Sequence, residues 1–112
     1  DLKNNYSNVS VKWGEDLVDT GSIFFGSVIG DHVKTAIGTN LNTGTVIGMG
    51  SNIVSQSFPP RNIPPFSLYY KGKIIKISFD DFCETATKAM SRRGKSLSEQ
   101  EKDRLYNIYK TC

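Results

Sequence analysis

His32 is the side chain in this sequence best suited to acid–base chemistry, and it is the only histidine among 112 residues. Histidine takes up and releases a proton near neutral pH, so it can act as a general base or contact a substrate directly. The same ring can instead position another residue or form a hydrogen bond across a subunit interface. A zinc site of the carbonic-anhydrase type needs several histidines, so we expect no metal site.

Two further reactive side chains, Cys83 and Cys112, stand near the end of the chain, and their spacing fits no metal motif. We interpret them as free thiols in a reducing compartment and expect a cytoplasmic location. The net charge of +3 comes from interspersed acidic and basic residues, which argues against a nucleic-acid partner. No apolar run approaches the roughly 20 residues of a membrane span, so we expect no membrane partner.

The segment that must position His32 has a six-residue rhythm over residues 23–57. Five of its six hexads begin with an aliphatic residue, the starts being Ile23, Ile29, Thr35, Leu41, Ile47 and Ile53. Four residues after each start comes a small or β-branched residue: Ser27, Val33, Thr39, Thr45, Ser51 and Ser57. The pattern is typical of a parallel β-helix in which the aliphatic residues form the core. The alternative is a run of short strands in an ordinary sandwich.

The second and fourth residues of each hexad carry further predictions. Gly30, Ala36, Asn42 and Gly48 follow the four central starts, and we expect glycine or asparagine there to take the positive φ of a corner. His32, the fourth residue of its hexad, should project outward, where a neighbouring subunit could reach it. Six hexads make about two coils, fewer than a self-sufficient array needs, so we expect an oligomer or a piece of a longer protein.

The rest of the chain divides around these coils into one domain. Residues 1–22 are predicted as a loop and an inserted hairpin, with a strand at 9–13 and a turn at 14–16. Residues 58–78 are predicted as a proline strap over the open end of the coils, followed by a hairpin with its turn at 71–73. The prolines also allow a PxxP ligand for a partner domain.

Two amphipathic helices over residues 79–112 are predicted to form a terminal cap that buries the last coil. Ser78 is the expected N-cap of the first helix, and Gly94 ends it. Ser98 and Glu101 form the capping box of the second. The apolar face of the first helix holds Phe79, Phe82, Cys83, Ala86 and Met90, and that of the second holds Leu105, Ile108, Tyr109 and Cys112.

Nearly the whole chain resembles a known family. The segments DTGSIFFGSVIGDHVKTAIGTNLNTGTVIGMGSNIV, FPPRNIPPFS, ETATKAMSRRG and LSEQEKDRLYNIY are similar to the C-terminal half of GlmU-like bifunctional sugar-1-phosphate nucleotidylyltransferase/N-acetyltransferases. GDHVKTAI followed by LNTGTVIG and then FPP is the most specific part. The resemblance implies a left-handed β-helix that forms a homotrimer, with acyl-transfer sites between subunits. It places the family's catalytic His and Tyr upstream of residue 1, and its Mg²⁺ in a nucleotidylyltransferase domain that these residues do not include.

The resemblance also implies binding residues. The family offers an Asn and then a basic residue to the sugar phosphate; Asp1 or Asn5 matches the first, beside Tyr6, and Lys12 matches the second. An acid at the Asn position would repel the phosphate, and the alternative for residues 4–6 is a plain polar turn. For coenzyme A the implied contacts are small residues, backbone N–H groups and a cation: Ser27, Gly38, Thr39, Thr45 and Arg61. Arg92 and Arg93 are further candidates, although their place in the last helical turn already explains them.

These implications lead to two hypotheses of different kinds. In the first, the chain is the C-terminal part of an acyltransferase domain that transfers acetyl from acetyl-CoA to an amino-sugar 1-phosphate, in a protein that also makes nucleotide sugars. His32 is then a direct catalytic contact or a positioning residue, and the isolated chain is inactive. In the second, a non-catalytic β-helix trimerises or regulates a sugar-1-phosphate nucleotidylyltransferase.

Overall fold

The structure is a computed structural model that describes residues 5–112, so Asp1 lies outside the described residues. Nine strands precede two helices. The strands are β1 (Ser10–Trp13), β2 (Asp16–Asp19), β3 (Val28–Ile29), β4 (Lys34–Thr35), β5 (Val46–Ile47), β6 (Asn52–Val54), β7 (Asn62–Ile63), β8 (Ser67–Tyr70) and β9 (Lys73–Lys76). The helices are α1 (Phe79–Ser91) and α2 (Glu99–Lys110).

Two parallel sheets form the centre of the fold, and the chain passes alternately between them. The first has the order β3-β5-β7, and the second has the order β4-β6-β8-β9, in which only β9 is antiparallel. Val28 pairs with Val46 and Lys34 with Asn52, a spacing of 18 residues, or three hexads. The next spacing is 16 residues, from Val46 to Asn62. We call the resulting passages repeat 1 (28–45), repeat 2 (46–61) and repeat 3 (62–77).

The core between the sheets contains only part of the predicted aliphatic set. Ile47, Ile53 and Ile63 are at most 1% exposed. Ile23 and Ile29, which were predicted to be core residues, are 41% and 52% exposed, so that prediction is wrong for them. Repeat 1 is the end of the stack, and within residues 5–112 no strand pairs with its outer edge. Its inward side chains are therefore covered on one side only.

The proline-rich segment is part of the stack, and its prediction as a strap over an open end is wrong. Asn62–Ile63 pairs in parallel with β5, and Ser67–Tyr70 pairs in parallel with β6. The four prolines stand at 59, 60, 64 and 65, outside the strands, so they remove no donor from the ladders. Carbonyl oxygens of this segment accept hydrogen bonds from backbone N–H groups of repeat 2; the Gly48 N–H, for example, donates to the Ile63 oxygen at 2.8 Å. The chain thus has three repeats where the hexads predicted about two coils.

The predicted positions of positive φ are also wrong. In the four central hexads the left-handed residue comes three places after the start, at His32 (61°), Gly38 (78°), Gly44 (80°) and Gly50 (73°). Gly48 is required for a different reason: a Cβ there would stand 2.4 Å from the backbone nitrogen of Pro65 in the next repeat. Gly30 has the same role, with 2.7 Å to the nitrogen of Met49. These two glycines allow successive repeats to approach closely.

The two predicted hairpins are confirmed. The β1–β2 hairpin turns at Gly14 and Glu15. Its base packs on repeat 1 at Gly44, where an added Cβ would stand 3.1 Å from the Ser10 carbonyl oxygen. The β8–β9 hairpin turns at Lys71 and Gly72, which have φ of 50° and 77°. Two consecutive left-handed residues suit the type I′ turn that joins twisted strands.

The predicted N-cap residues of both helices are confirmed, but the two helices pack on a different part of the repeats than predicted. Ser78 and Ser98 each accept a hydrogen bond from the backbone N–H three residues on. Phe82 of α1 packs edge-on against Phe66 of repeat 3, at 5.0 Å between ring centroids, and also against His32 of repeat 1, at 5.4 Å. The helix therefore lies along the side of all three repeats, not over the last one. Cys112, predicted on the packed face of α2, is exposed.

The core under the helices is aromatic and separate from the core between the sheets. Its buried residues are Phe66, Phe82, Cys83, Ala86 and Leu105. The Tyr109 hydroxyl donates to the Ile77 carbonyl at 2.9 Å and so ties α2 to the end of repeat 3. Neither helix of the described chain is long and apolar enough to cross a bilayer.

Candidate functional site

His32 lies at the connection that leads from the first sheet to the second, in a column of equivalent residues. Register places His32, Gly50 and Phe66 one above another, and all three have positive φ, at 61°, 73° and 55°. Histidine adopts this conformation more readily than most residues, whereas a bulky Phe does so only under strain. Phe66 is completely buried, and the packing of its ring against α1 and α2 stabilises that conformation.

Gly50 explains how Phe82 reaches His32. A Cβ at Gly50 would stand 2.7 Å from the Phe66 ring and 3.0 Å from the Phe82 ring. Because glycine leaves this space open, Phe82 lies across repeat 2 and meets the imidazole edge-on. His32 thus projects out of the sheets, as predicted, but it is half-buried under α1. Its ring packs edge-on against Phe82, at 5.4 Å between ring centroids.

A cavity of about 320 Å³, which we call the His32 cavity, lies between the second sheet and α1. Its floor is one row of the sheet, in which register aligns Lys34, Asn52, Leu68 and Ile75. Its wall is the face of α1 that carries Asp81, Phe82 and Thr85. The cavity therefore brings an imidazole, an ammonium group and a carboxylate to one place.

The charged side chains that line the His32 cavity differ in whether they already have a partner within the protein. Lys76 donates to the carbonyl oxygens of Tyr109 at 3.3 Å and Cys112 at 3.0 Å, so its charge serves the C-terminus of α2. The ion pairs of residues 5–112 are Lys88–Glu84 and Arg104–Glu101, both on helix surfaces. In that part of the chain, Lys34 and Asp81 have no charged partner and remain available to a ligand.

A second concave surface, which we call the corner groove, lies where each repeat leaves the second sheet. It has a volume of about 570 Å³ and is formed by residues 36–37, 54–57 and 69–72 of the three repeats. Ile37 is fully exposed, and Val54 and Tyr70 are more than 40% exposed. The Lys71 ammonium lies 5.3 Å from the centre of the Tyr70 ring. The groove can hold an extended, partly apolar ligand that ends near a cation.

The predicted coenzyme residues are divided between two connections. Gly38 and Thr39 come directly after Ile37, which lines the corner groove. Ser27, Thr45 and Arg61 immediately precede β3, β5 and β7, so register aligns them in a row at the opposite connection. Thr45 is fully buried and donates its hydroxyl to the Asn42 carbonyl at 2.6 Å. Its side chain cannot contact a coenzyme, which removes it from the predicted set.

The predicted substrate residues make only local contacts. The Asn5 side-chain oxygen accepts from the Ser7 N–H at 3.2 Å and from the Ser7 hydroxyl at 2.9 Å. Tyr6 is exposed with φ of 51°, and Lys12 is exposed on β1. This geometry is that of the polar turn weighed as the alternative. The hairpin packs at Gly44, whereas His32 lies at a different connection, so one chain does not bring them together.

Sequence reasoning missed the residues that line the His32 cavity together with His32. Lys34 and Asn52 occupy the same place in their hexads, a signal that could have predicted their shared row. Leu68 could not have been added by the same count, because repeat 3 is reached after 16 residues and not 18. Asp81 lies in the first turn of α1, and only the packing of that helix on the second sheet brings it to the cavity.

No model of a known protein family matches this sequence, and comparisons with curated proteins and with solved structures find no match. We therefore infer the function from the geometry of residues 5–112 and from the sequence resemblance.

Proposed function

We propose that repeats 1–3 are the last coils of a left-handed β-helix and that the chain is the C-terminal part of an acyltransferase domain. The reaction is acetyl transfer from acetyl-CoA to an amino-sugar 1-phosphate, in a protein that also makes nucleotide sugars. The observation that carries the proposal is the 18-residue spacing in both sheets, with left-handed residues at the same place in successive hexads. Three hexads per coil is the geometry expected of hexapeptide repeats.

In this proposal, the corner groove binds the coenzyme. Pantetheine is extended and partly apolar, and the walls of the groove offer Ile37, Val54 and Tyr70 to it. Lys71 is suited to the phosphates, because an ammonium group forms charge-assisted hydrogen bonds with them. Gly38 and Thr39 directly follow Ile37 in sequence but do not line the groove themselves, so their predicted contact with the coenzyme stays a prediction. The groove of about 570 Å³ falls within the range of small-molecule sites.

The chemistry of the acyl transfer itself needs groups that residues 5–112 do not bring to the groove. A base must accept the proton of the attacking amine, and donors must stabilise the oxyanion. His32 lies at another connection and packs on Phe82, so we assign it no proton transfer in the groove. The resemblance places the catalytic His and Tyr upstream of residue 1. The chain alone should therefore bind the coenzyme without transferring the acetyl group.

The exposed apolar side chains of the groove also suit a subunit interface. Ile37 is wholly exposed, and a homotrimer would cover it while completing sites shared between subunits. Ile29 of repeat 1 and the preceding Ile23 are exposed, and a further coil stacked on repeat 1 would cover them. Mg²⁺ belongs in this account only to the nucleotidylyltransferase domain that the resemblance implies.

Isothermal titration of the chain with acetyl-CoA tests the proposal. We expect binding that Lys71→Gln weakens several-fold, because one charge-assisted contact is lost. Lys73→Gln is the matched control, since Lys73 is exposed on β9 and does not line the groove. A thiol-release assay with glucosamine 1-phosphate, on protein that includes the implied upstream segment, then tests transfer. If the coenzyme did not bind, or if no thiol were released above background, the acyltransferase proposal would be overturned.

One observation favours the second candidate, a non-catalytic β-helix that trimerises or regulates a nucleotidylyltransferase. The Asn5 side chain is bonded within a local turn, and Thr45 is buried, so two of the predicted ligand-binding residues have structural roles. The two candidates differ in a simple measurement. A trimer in sedimentation without any coenzyme binding supports the second candidate, and coenzyme binding at the groove supports the first.

A further inference from the structure

We propose that the His32 cavity binds a small phosphate monoester that also carries hydroxyl groups. This inference goes beyond the acyltransferase proposal, because the cavity lies at a different connection from the corner groove and shares no lining residue with it. The site is defined by polar side chains from β4, β6, α1 and the connection between β3 and β4.

The side of the cavity that can donate hydrogen bonds to an anion consists of Lys34 and His32. Lys34 has no acidic partner within residues 5–112, and His32 makes no hydrogen bond there. A phosphate accepts several charge-assisted hydrogen bonds at once, which makes it a suitable partner for a lysine and an imidazole together. The imidazole already packs edge-on against Phe82, so it loses less conformational freedom on binding than a free side chain would.

The other wall determines what the phosphate is attached to. Asp81 lines the cavity with a carboxylate, which repels a phosphate and accepts hydrogen bonds from hydroxyl groups. Asn52 and Thr85 add polar groups that both donate and accept. A ligand with one anionic end and a polyol body satisfies both walls, whereas a second phosphate would face Asp81.

The size of the cavity limits the ligand. About 320 Å³ is near the lower end of small-molecule sites, which are roughly 300 to 1,000 Å³. The floor runs across four strands from Lys34 to Ile75, which is about 14 Å at the usual strand spacing. A monosaccharide phosphate fits these dimensions, and coenzyme A does not.

Titration of the chain with ribose 5-phosphate, followed by calorimetry, tests the proposal. Inorganic phosphate and ribose are the fragment controls, and we expect ribose 5-phosphate to bind more tightly than either. Lys34→Gln should weaken that binding at least about tenfold, because a charge-assisted contact is lost. His32→Asn should weaken it several-fold while tolerating the left-handed backbone.

Lys73→Gln is again the control that should leave binding unchanged, since Lys73 does not line the cavity. Thermal melting of each variant shows that the fold is retained. The proposal is overturned if ribose 5-phosphate does not bind, if it binds no better than inorganic phosphate, or if the Lys34→Gln and Lys73→Gln variants bind alike. Acetyl-CoA titration of the same Lys34→Gln variant separates this result from the proposed function, because coenzyme binding at the corner groove should be unchanged.

Discussion

The close contact between Gly48 and Pro65 supports a quantitative prediction about the stacking of repeats 2 and 3. An alanine Cβ at position 48 would lie 2.4 Å from the Pro65 nitrogen and 2.7 Å from its Cα, where ordinary contacts begin near 3.4 Å. Backbone atoms cannot rotate away, so the repeats must separate by about 1 Å. That separation stretches the 2.8 Å hydrogen bond from Gly48 N to Ile63 O.

The expected cost of Gly48→Ala follows from these distances. Overpacking typically costs 1–3 kcal/mol, and a weakened backbone hydrogen bond adds about 1 kcal/mol. The reduced entropy of the unfolded chain returns about 0.4–1 kcal/mol. We therefore expect a net loss of about 2–3 kcal/mol, or a melting temperature lower by on the order of 10–20 °C. Urea unfolding followed by circular dichroism measures it.

Three comparison variants separate close approach from left-handed backbone. Gly26→Ala is the matched control, since a Cβ there meets nothing within 4 Å and φ is not positive. Gly48→Asn should be as damaging as Gly48→Ala. At Gly38, where φ is 78° and the space is open, asparagine should be tolerated better than alanine. If Gly48→Ala were as stable as Gly26→Ala within about 0.5 kcal/mol, the stacking geometry argued here would be refuted.

Three further predictions concern the helices and the groove. Burial raises the pKa of the Cys83 thiol, so little of it is the reactive thiolate at pH 8. A thiol reagent should therefore modify the exposed Cys112 at once and Cys83 only after unfolding. Rapid modification of both thiols in the folded protein would contradict this prediction. Tyr109→Phe should cost about 1 kcal/mol in urea unfolding because a 2.9 Å hydrogen bond is lost, whereas Tyr106→Phe, whose hydroxyl bonds to no described residue, should cost less than half of that. Ile37→Ser should leave the melting temperature of the monomer unchanged and weaken self-association in sedimentation; unchanged association would remove Ile37 from the proposed interface.

The sequence predicted the parts of the fold that depend on local chemistry. Both N-caps, both hairpins and the pairing of hexads three apart follow from short-range patterns, and all are present. Ile47 and Ile53 are core residues as predicted, because repeats lie on both sides of them. Ile29 has the same hexad position and is exposed, since the pattern does not say where a stack ends.

The predictions that proved wrong concern positions whose environment is set by residues distant in sequence. Glycine suits a left-handed corner and a close contact equally well, so Gly48 could be assigned only when Pro65 was known to lie beside it. The prolines at 64 and 65 suggested the end of the strands, but they flank β7 and leave it intact. The His32 cavity was not predicted because its wall, α1, follows its first floor strand by some 45 residues of sequence.

The most direct test of the central claim is a ¹⁵N amide spectrum of the chain titrated with acetyl-CoA. We expect shifts concentrated at residues 36–37, 54–57 and 69–72, which line the corner groove in the three repeats. The amides around His32 and Asp81 should not move, because the coenzyme does not enter that cavity. A spectrum without shifts, or with shifts confined to the His32 cavity, would contradict the assignment of the groove as a coenzyme site.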